Sequence, residues 1–467
     1  MPSNDASRLL NVELRLDPLS NEMRRFLETA NVGGVCLFRG SLRALPEIAD
    51  FLEELHGLLG PEVLVSIDQE GGSVVRIPAL PATPGGLALG VGDDEVRTEA
   101  VSFSLASGLA ALGINVNFAP VLDVNSEPKN PVIGERSFGA DPGVVARHGA
   151  AFARGHHRAG VLAVGKHLPG HGDTRTDSHL GLPVVDKTWD ELTRGELVPF
   201  RAAVEAGLEA MMTAHILYPR LSSRPATLSP EILGRLRREL GFDGLLFTDA
   251  LDMHAVAAEF HQAESARLAV AAGADLPLVM GPVETLREVV DRFDPDPADV
   301  RRSHARLERV LSRFPFRAPN REALEGLSRE PEREAARAAV RVRGTLPTLA
   351  RDTRLLVVSP AHVSRGAATD AEPLKPRIAR ALSPHFPNLT VVGYDDDLPG
   401  ADVALLVTAD RATETPRARE LGEQLRHRMP TVHLNVFNPF LNEFDLPTVF
   451  TYGFGDASLN AAADVLK

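Results

Sequence analysis

Between Lys166 and His179 the chain packs three histidines (His167, His171, His179), two aspartates (Asp173, Asp177) and a lysine into 14 residues. Imidazoles and carboxylates held this close together do proton-transfer chemistry. Asp177 and His179 are two apart, so one turn brings the carboxylate against the ring. Such a neighbour orients an imidazole and raises its pKa from about 6.5. That suits a general acid that must carry a proton at neutral pH. Gly170 and Gly172 let this backbone turn sharply and approach a ligand closely. A further carboxylate, Asp249, closes an apolar run, and Asp68, Glu70, Arg76, Asp123, Arg136 and His215 follow other such runs.

The elements that must position these groups are short apolar runs alternating with amphipathic stretches. Candidate strands lie at 9–16, 34–38, 63–67, 115–121, 161–166, 210–214, 244–248 and 275–280, with helical patterns at 46–59, 93–112, 141–159 and 229–240. Repeated βα units with apolar strands imply a parallel sheet buried on both faces. Eight of them predict a TIM (β/α)8-type barrel over residues 1–315. Residues 11–16 alternate polar and apolar, the pattern of an exposed or antiparallel segment, so a doubly wound open sheet is the second expectation. In a barrel, functional groups gather where strands end. Here Asp68, Glu70 and Arg76 follow the third strand, Asp123 and Arg136 the fourth, Lys166 and His167 the fifth, His215 the sixth and Asp249 the seventh. Buried charges are costly unless they pair or bind something, so this one-ended pattern points to a site. Residues 316–352 read as a linker with a helix and no clear strand. Residues 353–467 read as a smaller C-terminal α/β domain, with strands at 354–359, 389–394, 402–408, 431–438 and 448–453.

Composition narrows the function. The 50 basic and 63 acidic residues give a net charge of −13, which disfavours a nucleic-acid partner. The single cysteine, Cys36, sits in an apolar run and reads as a small buried hydrophobe. The sequence shows neither a signal-peptide pattern nor about 18 uninterrupted apolar residues, so a cytoplasmic protein with no membrane partner is expected. The second domain lacks a Gly-x-Gly-x-x-Gly fingerprint after a strand, and no cofactor is expected. Oligomeric state is left open.

Five segments carry a resemblance to a known family: Asp68-Gln69-Glu70-Gly71-Gly72, Ala119-Pro120-Val121-Leu122-Asp123, Glu135-Arg136-Ser137-Phe138-Gly139, Lys166 to Thr174 with Asp177-Ser178-His179, and Thr248 to Met253. Through them the sequence resembles glycoside hydrolase family 3, in its β-N-acetylglucosaminidase (β-N-acetylhexosaminidase) branch. The second domain is similar to that of two-domain members only through its layout and Asn438-Pro439. The resemblance implies a carbohydrate substrate and double displacement. Asp249 matches the nucleophile, His179 the acid/base and Asp177 its partner. Asp68, Arg76, Arg136, Lys166 and His167 match residues that hold the sugar. Relatives of this kind usually act on N-acetylglucosamine-containing cell-wall fragments, often in peptidoglycan recycling. Leu168, Ala250 and Asp252 depart from the usual pattern without removing a catalytic group. Since a histidine repels an incoming anion less than a carboxylate would, phosphate could compete with water as acceptor.

Other readings compete. Asp249 is also a good helix N-cap, and Arg136 can pair with Glu135 or Asp141. Glu70 is as well placed for structure as for binding, and Asp123, His171 and Asp173 favour bracing loops. His215 suits a satisfied core histidine. A metallohydrolase would use His167, His171, Asp173, Asp177 and His179, but these lie in one loop and no His-x-His pair follows the first strand. A β-glucosidase or phosphorylase of the same family is the nearest rival, and a non-catalytic sugar-binding protein the alternative from another class.

Overall fold

The apolar runs fold into β1 (Asn11–Arg15), β2 (Gly34–Phe38), β3 (Leu64–Ile67), β4 (Val116–Asn117), β5 (Leu162–Leu168), β6 (Ala210–Thr213), β7 (Leu245–Ala250) and β8 (Leu276–Val279). In this computed structural model, which describes residues 5–178, 180–363, 373–441 and 443–467, the eight strands close into a barrel in the order β1-β8-β7-β6-β5-β4-β3-β2. All eight pairings are parallel. Period-2 alternation sends one set of side chains inward. Cys36, Leu64, Val116, Val164, Met212, Phe247 and Leu276 fill the interior, where the Phe118 and Phe247 rings meet edge-on at 5.2 Å. The other set, such as Val35, Leu37, Val65 and Ile67, packs outward with helix residues Ile48, Leu52 and Leu55. The barrel is therefore a packed core and not a pore. Helix starts follow cap chemistry: Asp94, Asp141 and Ser229 accept the N–H groups of Arg97, Val144 and Ile232.

Three expectations are corrected. The first strand is neither exposed nor antiparallel, and the sheet is closed, not open. Its polar residues are used at the barrel: Asn11 Nδ2 donates to Ser66 Oγ at 3.2 Å, and Glu13 Oε2 accepts the Gly281 N–H at 2.9 Å. The fourth strand is shorter than 115–121, because Pro120 has no N–H to offer. Side chains take over the ladder there: Asn115 Oδ1 accepts Val65 N–H and Asn117 Oδ1 accepts Gln69 N–H. The 316–352 segment does contain a strand, β9 (Arg341–Arg343), which is exposed and pairs antiparallel with the second sheet.

That second sheet runs β9-β14-β13-β12-β10-β11, with β10 (Leu355–Val358), β11 (Leu389–Val392), β12 (Val403–Thr408), β13 (Thr431–Asn435) and β14 (Thr448–Phe450) parallel. Helix Pro416–Arg428 covers one face, and helices Lys375–Leu382 and Asp456–Leu466 cover the other. Helix Glu330–Ala339 packs between Asp456–Leu466 and the barrel helices Gly86–Gly92 and Glu95–Ala111, joining the two parts. Among the described residues no helix is long and apolar enough to cross a membrane.

Candidate active site

At the C-terminal mouth of the barrel lies a cavity of about 370 Å³. Each of the eight strands, or the residue after it, reaches its wall: Arg15, Phe38, Asp68, Phe118, Lys166 with His167, Met212, Asp249 and Leu278. A second cavity of about 420 Å³ lies between the 72–84 segment and the second domain, but it contains none of Asp68, Lys166, Arg136 or Asp249. These expected site residues therefore gather at the barrel mouth.

A chain of alternating charge lines this mouth. Lys166 Nζ sits 2.7 Å from Asp68 Oδ1 and 2.6 Å from Glu70 Oε1. Glu70 in turn receives Arg136 through two hydrogen bonds, Nε to Oε2 at 2.9 Å and Nη2 to Oε1 at 2.8 Å. Arg76 Nη2 reaches Asp68 Oδ2 at 3.3 Å. Burial alone would raise the Glu70 pKa, but the Arg136 and Lys166 cations outweigh it and hold the carboxyl at about 2. In the same way Lys166 and Arg76 overcome burial and keep Asp68 below the usual carboxylate range. Burial would lower the Lys166 pKa, yet Asp68 and Glu70 raise it. The groups are therefore charged at neutral pH, and charge-assisted hydrogen bonds from them are about twice as strong as neutral ones.

Beside this chain, His167 Nδ1 lies 2.7 Å from Asp123 Oδ2, while Asp123 Oδ1 accepts the main-chain N–H groups of His167 (3.1 Å) and His171 (2.6 Å). This fixes the His167 ring with Nε2 towards Arg136, at 3.4 Å. His171 also lines the cavity, held by Thr174 and Ser178 hydroxyls at 2.8 and 3.1 Å. Burial first, and then the neighbouring His167, pushes it down to about 4, so it is neutral at pH 7. Asp249 lines the cavity from the end of β7, its Oδ1 accepting the Ala250 N–H at 2.8 Å.

The structure thus brings Asp68, Arg76, Arg136, Lys166, His167 and Asp249 around one cavity. Asp177 is buried but is not part of the cavity lining; its main-chain carbonyl accepts the N–H groups of Leu180 and Gly181. His179, the expected acid/base, lies outside the described residues. Arg136 is buried against Glu70, not paired on the surface with Asp141. Asp173 braces the loop through Lys187 at 2.8 Å, and His215 is buried between Thr227 and the Ala250 carbonyl. Sequence reasoning left Glu70 undecided and passed over Arg39, which also lines the mouth. Its position directly after β2 was the available signal. Among the described residues, no group of three or more His, Cys, Asp or Glu is placed to hold a metal.

Residues 6–312 match the family described as "Glycosyl hydrolase family 3 N terminal domain". A Beta-hexosaminidase of Thiobacillus denitrificans is 40% identical over 323 residues, spanning 67% of this chain and 89% of that relative. The solved glycoside hydrolase family 3 beta-N-acetylglucosaminidase from Paenibacillus sp. str. FPU-7 superposes with a TM-score of 0.86 at 31% identity, covering 99% of this chain and 96% of its own. NagZ from Neisseria gonorrhoeae, in complex with N-trifluoroacetyl-D-glucosamine, gives a TM-score of 0.61 at 32% identity over 71% of this chain and 97% of its own.

Proposed function

The chain belongs to glycoside hydrolase family 3, and we propose that it removes terminal β-linked N-acetylglucosamine with retention of configuration. The observation that carries the reading is a carboxylate, Asp249, facing the same cavity as the Asp68–Lys166–Glu70–Arg136 charge chain. Asp249 attacks the anomeric carbon while an acid protonates the departing oxygen, leaving a covalent glycosyl-enzyme that water then hydrolyses. Lys166, Arg76 and Arg136 donate to the sugar oxygens, Asp68 accepts from a hydroxyl, and His167 holds the sugar from beside Arg136. The acid/base role goes to His179 with Asp177 as its partner, on the strength of the sequence resemblance. The reading assigns catalysis to residues 1–315, with 316–352 as linker and 353–467 as a supporting domain. Cell-wall fragments processed in the cytoplasm are the proposed setting.

The test compares aryl β-N-acetylglucosaminide and β-glucoside turnover, with Asp249→Ala and His179→Ala alongside. Turnover of the first substrate alone, lost in Asp249→Ala and unaffected by excess chelator, is expected. Turnover of the glucoside alone, or an active Asp249→Ala, would overturn the reading. Analysing products in phosphate buffer, as free sugar or sugar phosphate, identifies the acceptor.

A further inference from the structure

The barrel and the second domain meet at a buried ion pair whose atoms are incompletely satisfied. Arg411, shortly after β12, places Nη2 3.8 Å from Glu135 Oε1, with side chains only 6% and 2% exposed. Arg411 Nε and Nη2 and Glu135 Oε2 have no hydrogen-bond partner among the described residues. Each partner is nevertheless held firmly from its own side. The Arg411 guanidinium lies over the Phe437 ring at 4.9 Å. Asn438 Nδ2 donates to the Arg411 carbonyl at 2.7 Å and to the barrel's Pro128 carbonyl at 3.0 Å, which gives the Asn438-Pro439 pair a role. Across the joint, Glu135 Oε1 accepts a hydrogen bond from Ser73 Oγ. Glu135 therefore ties the 134–136 turn to the hairpin after β3, and those two segments carry Arg136, Glu70 and Arg76.

We propose that Arg411 is a positioning residue for the sugar pocket, compensating the buried Glu135 carboxylate from the second domain and so fixing where Arg136 and Glu70 sit. A buried carboxylate that loses its cation is strongly destabilised. Without Arg411, Glu135 draws away towards solvent or towards its neighbour Arg136, and either movement slackens the Arg136–Glu70 pair. The proposal rests on the glycosidase reading only for its kinetic readout.

The experiment uses the full chain with Arg411→Gln, Arg411→Lys, Glu135→Gln and the Arg411→Gln/Glu135→Gln double variant. Arg411→Gln is expected to raise KM for the aryl N-acetylglucosaminide roughly tenfold with a much smaller change in kcat. Arg411→Lys recovers part of this, and the double variant is no worse than Arg411→Gln, as coupled residues require. Amide hydrogen exchange supplies a readout that needs no substrate: exchange over 132–138 and 71–76 quickens in Arg411→Gln. A wild type silent on the aryl substrate would count against the proposed function and leave exchange to judge Arg411. Unchanged KM and unchanged local exchange, with or without a lower melting temperature, would overturn the proposal. If Arg411→Gln does not fold, the same outcome in Arg411→Lys and Glu135→Gln overturns it.

Discussion

At the floor of the barrel Asp275 has no exposed side-chain surface, and its carboxylate is saturated by the protein itself. Oδ2 accepts from Arg237 (2.6 Å) and Leu246 N–H (2.9 Å), and Oδ1 from Ser303 (2.7 Å) and Arg306 (3.0 Å). Arg237 uses its remaining donors on the Gly244 and Gly273 carbonyls. At the mouth, Asp68 and Arg76 pair with each other but keep 16% and 15% of their side-chain surface open. Both ends bury charge within one fold. The floor closes its hydrogen-bonding capacity on strands and helices, whereas the mouth leaves part of it facing a cavity. Charge at the floor serves stability, and under the proposed function charge at the mouth serves a ligand.

The sharpest way to break this comparison is a pair of aspartate truncations. Asp249→Ala should lower turnover roughly ten-thousand-fold while leaving the urea midpoint unchanged. Asp275→Ala should cost about 3 kcal/mol in a urea melt, because it strands two half-buried arginines, Arg237 and Arg306, with KM kept by the folded fraction. Exchanged outcomes would mean that the roles of the two ends are reversed. A smaller effect is expected at Lys166. Lys166→Met should reduce kcat/KM roughly a hundredfold, while Arg237→Met shifts the melt and leaves KM alone.

Acid sharpens the contrast further. The folded His171 titrates at about 4 against a usual 6.5, so between these values the unfolded chain binds a proton that the folded chain refuses. Stability is complete above pH 6.5 and falls as pH drops towards 4, by about 1 kcal/mol at pH 5.5 for this one group. His171→Asn should make the stability-versus-pH slope shallower by one proton in that window; an unaltered slope would place His171 outside the buried network. Glu70, held at about 2 against a usual 4.5, contributes stability that is complete above pH 4.5 and is lost only as pH falls towards 2. The smallest effect belongs to the surface: Arg321→Ala, which removes exposed pairs with Asp50 and Glu53, should change neither melt nor KM.

Much of this was legible in the chain. Eight apolar runs with turn-rich connections gave the barrel, and β2 has the expected bounds because its five residues are flanked by Val32-Gly33 and Arg39-Gly40. Polar residues at strand ends located the mouth. Where reading failed, tertiary context had taken over. The polar members of β1 looked solvent-exposed because their partners, Ser66 and Gly281, lie far along the chain. Strand β9 is Arg-Val-Arg, exposed along its whole length, so it carries no apolar signature. The site's identities were readable one by one, but its pairings were not. Nothing local says that Glu70 meets Arg136, 66 residues away.

Glu70 grips both Arg136 and Lys166 from within the protein itself. Long cationic side chains have many rotamers, and freezing one on association typically costs about 0.5–1.5 kcal/mol. In this pocket the freezing is completed during folding, so an incoming sugar has little left to order. A small ligand with few atoms can then bind well although its contacts are few, and loosening Glu70 would be felt as an unfavourable binding entropy more than as a lost contact.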